Sequence, residues 1–305
     1  MSLNNILRKI RLEKIIINCE KSSLKLNQTK LDFEKVEFEF NKLKNIYNTN
    51  NNANNLRKGS QCSVSGKKYE LQVFDVVKNC RIQGSRRKFN SQKRNELGGC
   101  SSKNDLECNY LGRRDVPIEI KKSNTPDWMQ STLVFDKNDR CWKCTEKSKI
   151  PSESRDIIHQ IMKDKIREKN IIFNGKIPSF IDHKITHQQW LEIKKNTEDF
   201  NDQYFECPNN TISELYAKKG CYYIQISNKG LYHLGTDICG FNVPYFECEQ
   251  QIRIRIKVHT RLNKNGFCNL SVTLACQPKN IKNLKKSPFS LDNKENLPKN
   301  LKYLL

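Results

Sequence analysis

Two acidic residues and a lysine near the middle of the chain have a spacing that suits phosphodiester hydrolysis. Asp105 opens a strand-like segment over 106–110, and Glu119 and Lys121 alternate with isoleucines in a second such segment over 116–121. Because successive side chains of a strand point to opposite faces, Glu119 and Lys121 should project from the same face. If the two segments are neighbours in a sheet, the carboxylates and the amine converge on one site.

Such a site predicts a hard divalent cation, Mg²⁺ or Mn²⁺. Mg²⁺ prefers oxygen ligands, which Asp105, Glu119 and the backbone carbonyl of Ile120 could supply. A bound cation neutralises the phosphate and activates a water molecule. Lys121 would orient that water or offset the charge on the phosphate oxygens. Two rival carboxylates lie nearby, Glu107 and Asp115, and Glu107 is a candidate second ligand.

The elements that must position these residues can be read from the apolar periodicity. The pattern predicts a helix over 66–82, strands over 106–110 and 116–121, and a helix that starts at 126 and includes Gln130. Further strands are expected at 221–227, 231–234, 251–259 and 267–275. The sequence therefore predicts an α/β (α+β) fold.

Asp105, thirteen intervening residues and Glu119-Ile120-Lys121 resemble the PD-(D/E)xK nuclease superfamily. The resemblance covers residues 66–130, and Asn104 stands where the family's motif has proline. It implies a restriction-endonuclease-like fold, with a mixed central sheet flanked by helices and a core order α-β-β-β-α-β. It also implies Mg²⁺-dependent hydrolysis of DNA by an endonuclease, with Asp105 and Glu119 as metal ligands and Lys121 as a catalytic residue.

The same resemblance implies roles for two more residues. Gly66-x3-Glu70 resembles the first helix of that family, in which a glutamate often joins the metal site, so Glu70 is expected to be an auxiliary metal ligand. Gln130, placed in the expected helix after the Glu-x-Lys strand, resembles a glutamine that several members use to position the reacting groups.

The charge of the chain indicates an anionic partner. Lysine and arginine total 55, aspartate and glutamate total 33, and the net charge is +22. Such an excess is typical of proteins that bind nucleic acid or anionic membranes. Two groups are expected to bind DNA phosphates: the basic stretch 81–94 and one face of the strand 251–259. Their members are Arg81, Arg86, Arg87, Lys88, Lys93, Arg94, Arg253, Arg255 and Lys257. The alternative for the strand is an ordinary solvated outer face.

The sequence predicts that the chain is divided into four regions. They are a helix or coiled coil over 1–47, an asparagine-rich linker over 48–58, a nuclease domain over 59–280 and a disordered basic tail over 281–305. Apolar or small residues recur at heptad spacing in the first region. They are Leu12, Ile15, Cys19, Ser22, Leu26, Thr29, Phe33, Val36, Phe40, Leu43 and Tyr47. This predicts a homodimer through the N-terminal helix; the alternative is a helix packed on its own domain.

Several alternatives to a DNA endonuclease follow from the same residues. One is a catalytically inactive nucleic-acid-binding protein that keeps the nuclease fold, and another is a basic coiled-coil scaffold for acidic proteins. With a mean hydropathy of -0.77 and no long apolar run, the sequence predicts no membrane-spanning helix. Together with the lack of a signal-peptide core, this predicts an intracellular protein of the cytoplasm or nucleus. The asparagine-rich composition also resembles that of proteins from large DNA viruses, so a virus-infected host cell is one candidate location.

Overall fold

The computed structural model describes most of the chain beyond residue 63. The described residues are 13–14, 64–90, 105–110, 115–124, 127–146, 150–169, 172–181, 185–259 and 267–304. The chain divides into two units, Met1–Ser60 and Gln61–Leu305. The expected coiled coil, the linker and the dimer contact lie outside the described residues, except for Glu13 and Lys14, which are helical. These three expectations stay predictions.

In the unit Gln61–Leu305, the described residues form four α-helices and twelve β-strands. The helices are α1 (64–77), α2 (Ser152–Lys169), α3 (His187–Asn196) and α4 (Thr211–Lys218). The first six strands are β1 (Cys80–Ile82), β2 (Leu106–Asn109), β3 (Asp115–Lys121), β4 (Trp128–Asp136), β5 (Cys141–Cys144) and β6 (Ile185–Thr186). The others are β7 (Gln203–Cys207), β8 (Tyr223–Ile226), β9 (Gly230–His233), β10 (Gln250–His259), β11 (Phe267–Pro278) and β12 (Leu301–Tyr303). The α+β class expected from the sequence is confirmed.

A four-stranded mixed sheet carries the candidate catalytic residues. Its order is β2-β3-β8-β9, and β3 runs parallel to β8 while the other two pairs are antiparallel. Ile118 and Ile120 of β3 are buried in one core cluster with Tyr69 and Val73 of α1. Because side chains alternate along β3, Glu119 and Lys121 project from the opposite face.

A second, six-stranded sheet contains the long antiparallel pair β10–β11. Its order is β5-β4-β11-β10-β7, and β6 pairs with the start of β11. Ile252, Ile254 and Ile256 are buried, whereas the cationic residues between them are only half-buried. The alternation expected for this strand is therefore confirmed. Its apolar face packs in a core cluster that includes Ile212 and Leu215 of α4.

The helix expected to start at residue 126 is wrong. Residues 128–136 form β4, which pairs with β11 on one side and with β5 on the other. Trp128 and Leu133 are buried, whereas Val134 on the opposite face of the strand is exposed. The Pro-Asp step resembles a helix start, but pairing with the distant β11 and the adjacent β5 satisfies the backbone of this segment and outweighs that local signal.

The disordered tail expected over 281–305 is also wrong for residues 281–304. Leu284 and Leu291 are buried, and β12 pairs with β1 just after α1. The Lys229 ammonium donates to the carbonyl oxygens of Lys282 and Leu284 at 2.8 and 2.7 Å. The segment has few apolar side chains, but contacts with residues far away in the sequence bury several of them.

Candidate functional site

Asp105, Glu119 and Lys121 lie together at the edge where β2 begins beside β3. Leu106 pairs with Ile118, so the register places Asp105 opposite Glu119. The Ile120 N–H donates to Asp105 Oδ2 at 2.9 Å, which orients that carboxylate. Lys121 Nζ lies 3.7 Å from Asp105 Oδ2 and also forms an ion pair with Glu119 Oε1. One ammonium group therefore contacts both carboxylates.

Lys219, which immediately follows α4, is a member of the cluster that the sequence analysis missed. Its Nζ lies 2.7 Å from Glu119 Oε2, and each of these two side chains is only 4% exposed. The ring of Tyr216, one turn earlier, lies 5.6 Å from Lys121 Nζ and 5.7 Å from Lys219 Nζ. The helical spacing of apolar residues in α4 could have located the helix, but no sequence signal joins Lys219 to a glutamate 100 residues earlier.

The charges of the cluster are set by burial and by the two lysines. Burial favours the neutral form of Glu119, but Lys121 and Lys219 outweigh it and lower its pKa to about 2. Burial likewise opposes the charge on Lys121, but Glu119, Tyr216 and Asp105 together raise the pKa of that amine well above its ordinary value. At neutral pH Glu119 is a carboxylate and Lys121 an ammonium.

The ionisation of Glu119 predicts an acid-sensitive contribution to stability. Its pKa falls from 4.5 to about 2 on folding, so its stabilisation is fully present above about pH 4.5 and is lost as the pH falls towards 2. Urea unfolding in EDTA should show wild type losing on the order of 3 kcal/mol more than Glu119→Gln between pH 6 and pH 2. Equal acid sensitivity of the two proteins would contradict this assignment.

The structure does not bring Gln130, one of the other two expected catalytic residues, into this cluster. Gln130 lies on β4 in the six-stranded sheet, where its side chain donates to the Asp127 carbonyl at 3.2 Å and accepts from Lys257 at 3.1 Å. Glu70 is half-buried on α1, next to Tyr69, whose helix face packs against the sheet face opposite to Glu119. Its role as an auxiliary ligand stays a prediction.

The expected phosphate-binding residues have different surroundings. On β10, Arg253 forms ion pairs with Asp127 and Asp202, and Arg255 Nη2 lies 2.7 Å from Asp127 Oδ2. Lys257 contacts the amide of Gln130. In the other group, Arg81 is half-buried on β1, and the three basic residues of 86–88 are exposed. Lys93 and Arg94 lie outside the described residues.

The donor set fits a divalent cation only in part. Asp105 and Glu119 already share one cation, the Lys121 ammonium, so the space between them suits positive charge. A divalent ion would add oxygen ligands from the same two carboxylates. Within the described segments, however, no group of three His, Cys, Asp or Glu side chains could hold a metal. The Ile120 carbonyl, a residue outside the described segments, water or substrate would have to complete the coordination.

Comparisons with protein-family models, with curated proteins and with solved structures gave no match to this chain. Among the helices in the described ranges, none has the length and apolar character needed to cross a membrane.

Proposed function

We propose that this chain is a Mg²⁺-dependent nuclease, with Mn²⁺ as a substitute, that hydrolyses DNA phosphodiester bonds as an endonuclease. The observation that carries the proposal is the buried cluster in which Lys121 contacts both Asp105 and Glu119. Its residue types and its position on paired strands suit phosphoryl chemistry.

The order of the elements around the cluster supports the same proposal. Helix α1 and strands β1, β2 and β3 come first, and α4 then leads to β8, which pairs in parallel with β3. With residues 122–210 set aside, these elements follow in the α-β-β-β-α-β order that the resemblance implies, although β1 pairs with β12 and not with β2. Helix α4, which precedes β8, brings Tyr216 and Lys219 to Glu119.

Each residue of the cluster has a role in the proposed reaction. Asp105, held by the Ile120 N–H, and Glu119, held by Lys219, would offer fixed carboxylate oxygens to the cation. The bound cation would neutralise the phosphate and lower the pKa of the attacking water. Lys121 is the most exposed of the four charged side chains, at 20%. It would donate to the phosphate oxygens as negative charge develops.

The test is cleavage of supercoiled plasmid DNA by the purified full chain in Mg²⁺, Mn²⁺ or EDTA. Wild type should nick or linearise the plasmid only with a metal. Asp105→Asn, Glu119→Gln and Lys121→Met should each lower the rate by at least about 100-fold, the usual scale for losing a preorganised charge. Glu192→Gln removes an exposed carboxylate on α3 and is the matched control, with an unchanged rate.

Each variant should first be shown to be folded, by circular dichroism and thermal unfolding. Cleavage that persists in EDTA, or that is equal in wild type and folded Glu119→Gln, would contradict the proposal. RNA and single-stranded DNA of the same length, assayed in parallel, would show whether duplex DNA is the preferred substrate.

One observation favours a second candidate, a nucleic-acid-binding protein without catalysis. Glu119 is engaged by two ammonium groups, and Lys219 holds Oε2 at 2.7 Å in a buried position. A carboxylate neutralised in this way is also what a structural ion-pair cluster requires. Metal-independent DNA binding by wild type, with no cleavage under any metal condition, would favour this candidate.

A further inference from the structure

We infer that the two-stranded sheet β1–β12 and the loop that follows β1 form a docking surface for the phosphate backbone of duplex DNA. This surface, called the basic ribbon below, contains Arg81, Arg86, Arg87, Lys88, Lys299 and Lys302. The inference rests on the proposed function in that DNA is taken as the partner. It assigns binding to C-terminal lysines that the sequence analysis placed in a disordered tail.

The ribbon has one buried and one cationic face. Arg81 is directly opposite Lys302 in the β1–β12 register, so the two side chains project from the same face. Their neighbours on β1, Cys80 and Ile82, are 0% and 1% exposed and point into the core. Like charges directly opposite each other destabilise a strand pair. Strand stability therefore does not explain why Arg81 and Lys302 are paired.

The loop after β1 extends the cationic face towards the candidate active site. The Gln83 N–H donates to the Asn300 carbonyl at 2.8 Å, which joins the loop to the C-terminal segment. Beyond the exposed basic residues 86–88, Asn90 exchanges two backbone hydrogen bonds with Glu107, at 2.9 and 2.8 Å. Glu107 lies two residues after Asp105, so the loop is anchored to the strand that begins at the cluster.

The cations of the ribbon differ from those on β10 in their partners. Arg253 and Arg255 are neutralised by Asp127 and Asp202. In the part of the chain that the structure describes, the six ribbon cations form no ion pair. Unpaired, mostly exposed cations attract a polyanion, whereas arginines already in ion pairs must first lose their own carboxylate partners. The ribbon therefore fits the DNA backbone better than the face of β10 does.

The experiment measures DNA binding without catalysis. Fluorescence anisotropy of a labelled 30-base-pair duplex, titrated with full-length protein in EDTA, is repeated at several salt concentrations. The variant Arg86→Gln/Arg87→Gln/Lys302→Gln is compared with Lys137→Gln/Lys163→Gln/Lys195→Gln, which removes three exposed lysines elsewhere. Each phosphate contact contributes about 0.9 to the slope of log affinity against log salt. The ribbon variant should thus lose about 3 units of slope, and the control should lose less than 1.

Three outcomes would overturn the inference: an unchanged slope in the folded ribbon variant, an equal loss in the control, or equally tight binding of polyglutamate to wild type at the same ionic strength. The last result would indicate an acidic protein as the partner. A slope that falls as expected without cleavage in Mg²⁺ or Mn²⁺ would support the ribbon and contradict the nuclease. Cleavage with an unchanged slope would do the reverse.

Discussion

Replacing Lys219 with methionine is expected to lower the free energy of unfolding by about 3–5 kcal/mol, the usual range when one partner of a buried ion pair is removed. Wild type has two buried carboxylates, Asp105 and Glu119, balanced by Lys121 and Lys219. The substitution leaves a net negative charge in a region with little access to water. Urea unfolding followed by circular dichroism measures the loss.

A double-mutant cycle separates this charge effect from simple loss of packing. Glu119→Gln together with Lys219→Met leaves Asp105 and Lys121 as a balanced pair, so the double variant should lose at least about 1 kcal/mol less than the sum of the single variants. Lys218→Met is the matched control, because Lys218 is an exposed lysine at the end of the same helix. It should cost no more than about 0.5 kcal/mol. Equal costs for Lys218→Met and Lys219→Met would show that the contact with Glu119 is not formed.

Gly230→Ala is expected to destabilise the protein by about 2–5 kcal/mol, from a strained backbone and a steric clash. Gly230 opens β9 with φ of 101°, in the region that favours glycine. A Cβ atom there would lie 2.5 Å from the Phe289 carbonyl oxygen and 2.9 Å from Ser287 Cβ. The C-terminal segment is held at this point because the Leu231 N–H donates to that same carbonyl at 2.8 Å. The alanine must therefore displace the segment or distort the strand.

Two other glycines give graded controls for this prediction. Gly220 has φ of 89° but no atom within 4 Å of its added Cβ, so Gly220→Ala should show the backbone strain alone. Gly235 has neither a positive φ nor a close neighbour, so Gly235→Ala should be nearly neutral. Thermal unfolding should rank the three variants in the order 230, 220, 235 from most to least destabilised. Equal losses at 230 and 220 would mean that the C-terminal segment does not pack against β9.

The local patterns of the sequence were sufficient to predict the positions of the strands next to the cluster. The alternation of Glu119 and Lys121 with isoleucines located β3, and the apolar stripe of 66–82 located α1, although that helix ends at residue 77 because β1 follows. These predictions depend only on the period of neighbouring side chains, which the order of the residues contains. The same period located β10, where polar and apolar residues alternate from Gln251 to His259.

The patterns failed where the deciding contact comes from far away in the chain. Residues 126–130 carry the signal of a helix start, but pairing with β11 makes the segment from Trp128 onward a strand. The segment 281–304 has the composition of a disordered tail, but Leu291 is buried and its N–H donates to the side chain of Gln225 at 2.9 Å. Composition indicates how much apolar surface a segment could bury by itself. It does not indicate which distant residues will cover that surface in the folded protein.

The sequence by itself determined the residue types of the site, the strand that begins directly after Asp105, the strand that bears Glu119 and Lys121, and the cationic character of the chain. Only the tertiary structure decided that Lys219 is the fourth charged member and that Gln130 belongs to another sheet. It also decided that Arg253 and Arg255 are neutralised, whereas Arg81 and Lys302 form no ion pair with any residue that the structure describes. The physical reason is that the spacing of side chains along one strand or helix follows from local backbone geometry. The partner of a charge depends instead on which distant elements the fold brings within a few ångströms, about the distance over which a buried charge must find its counter-charge.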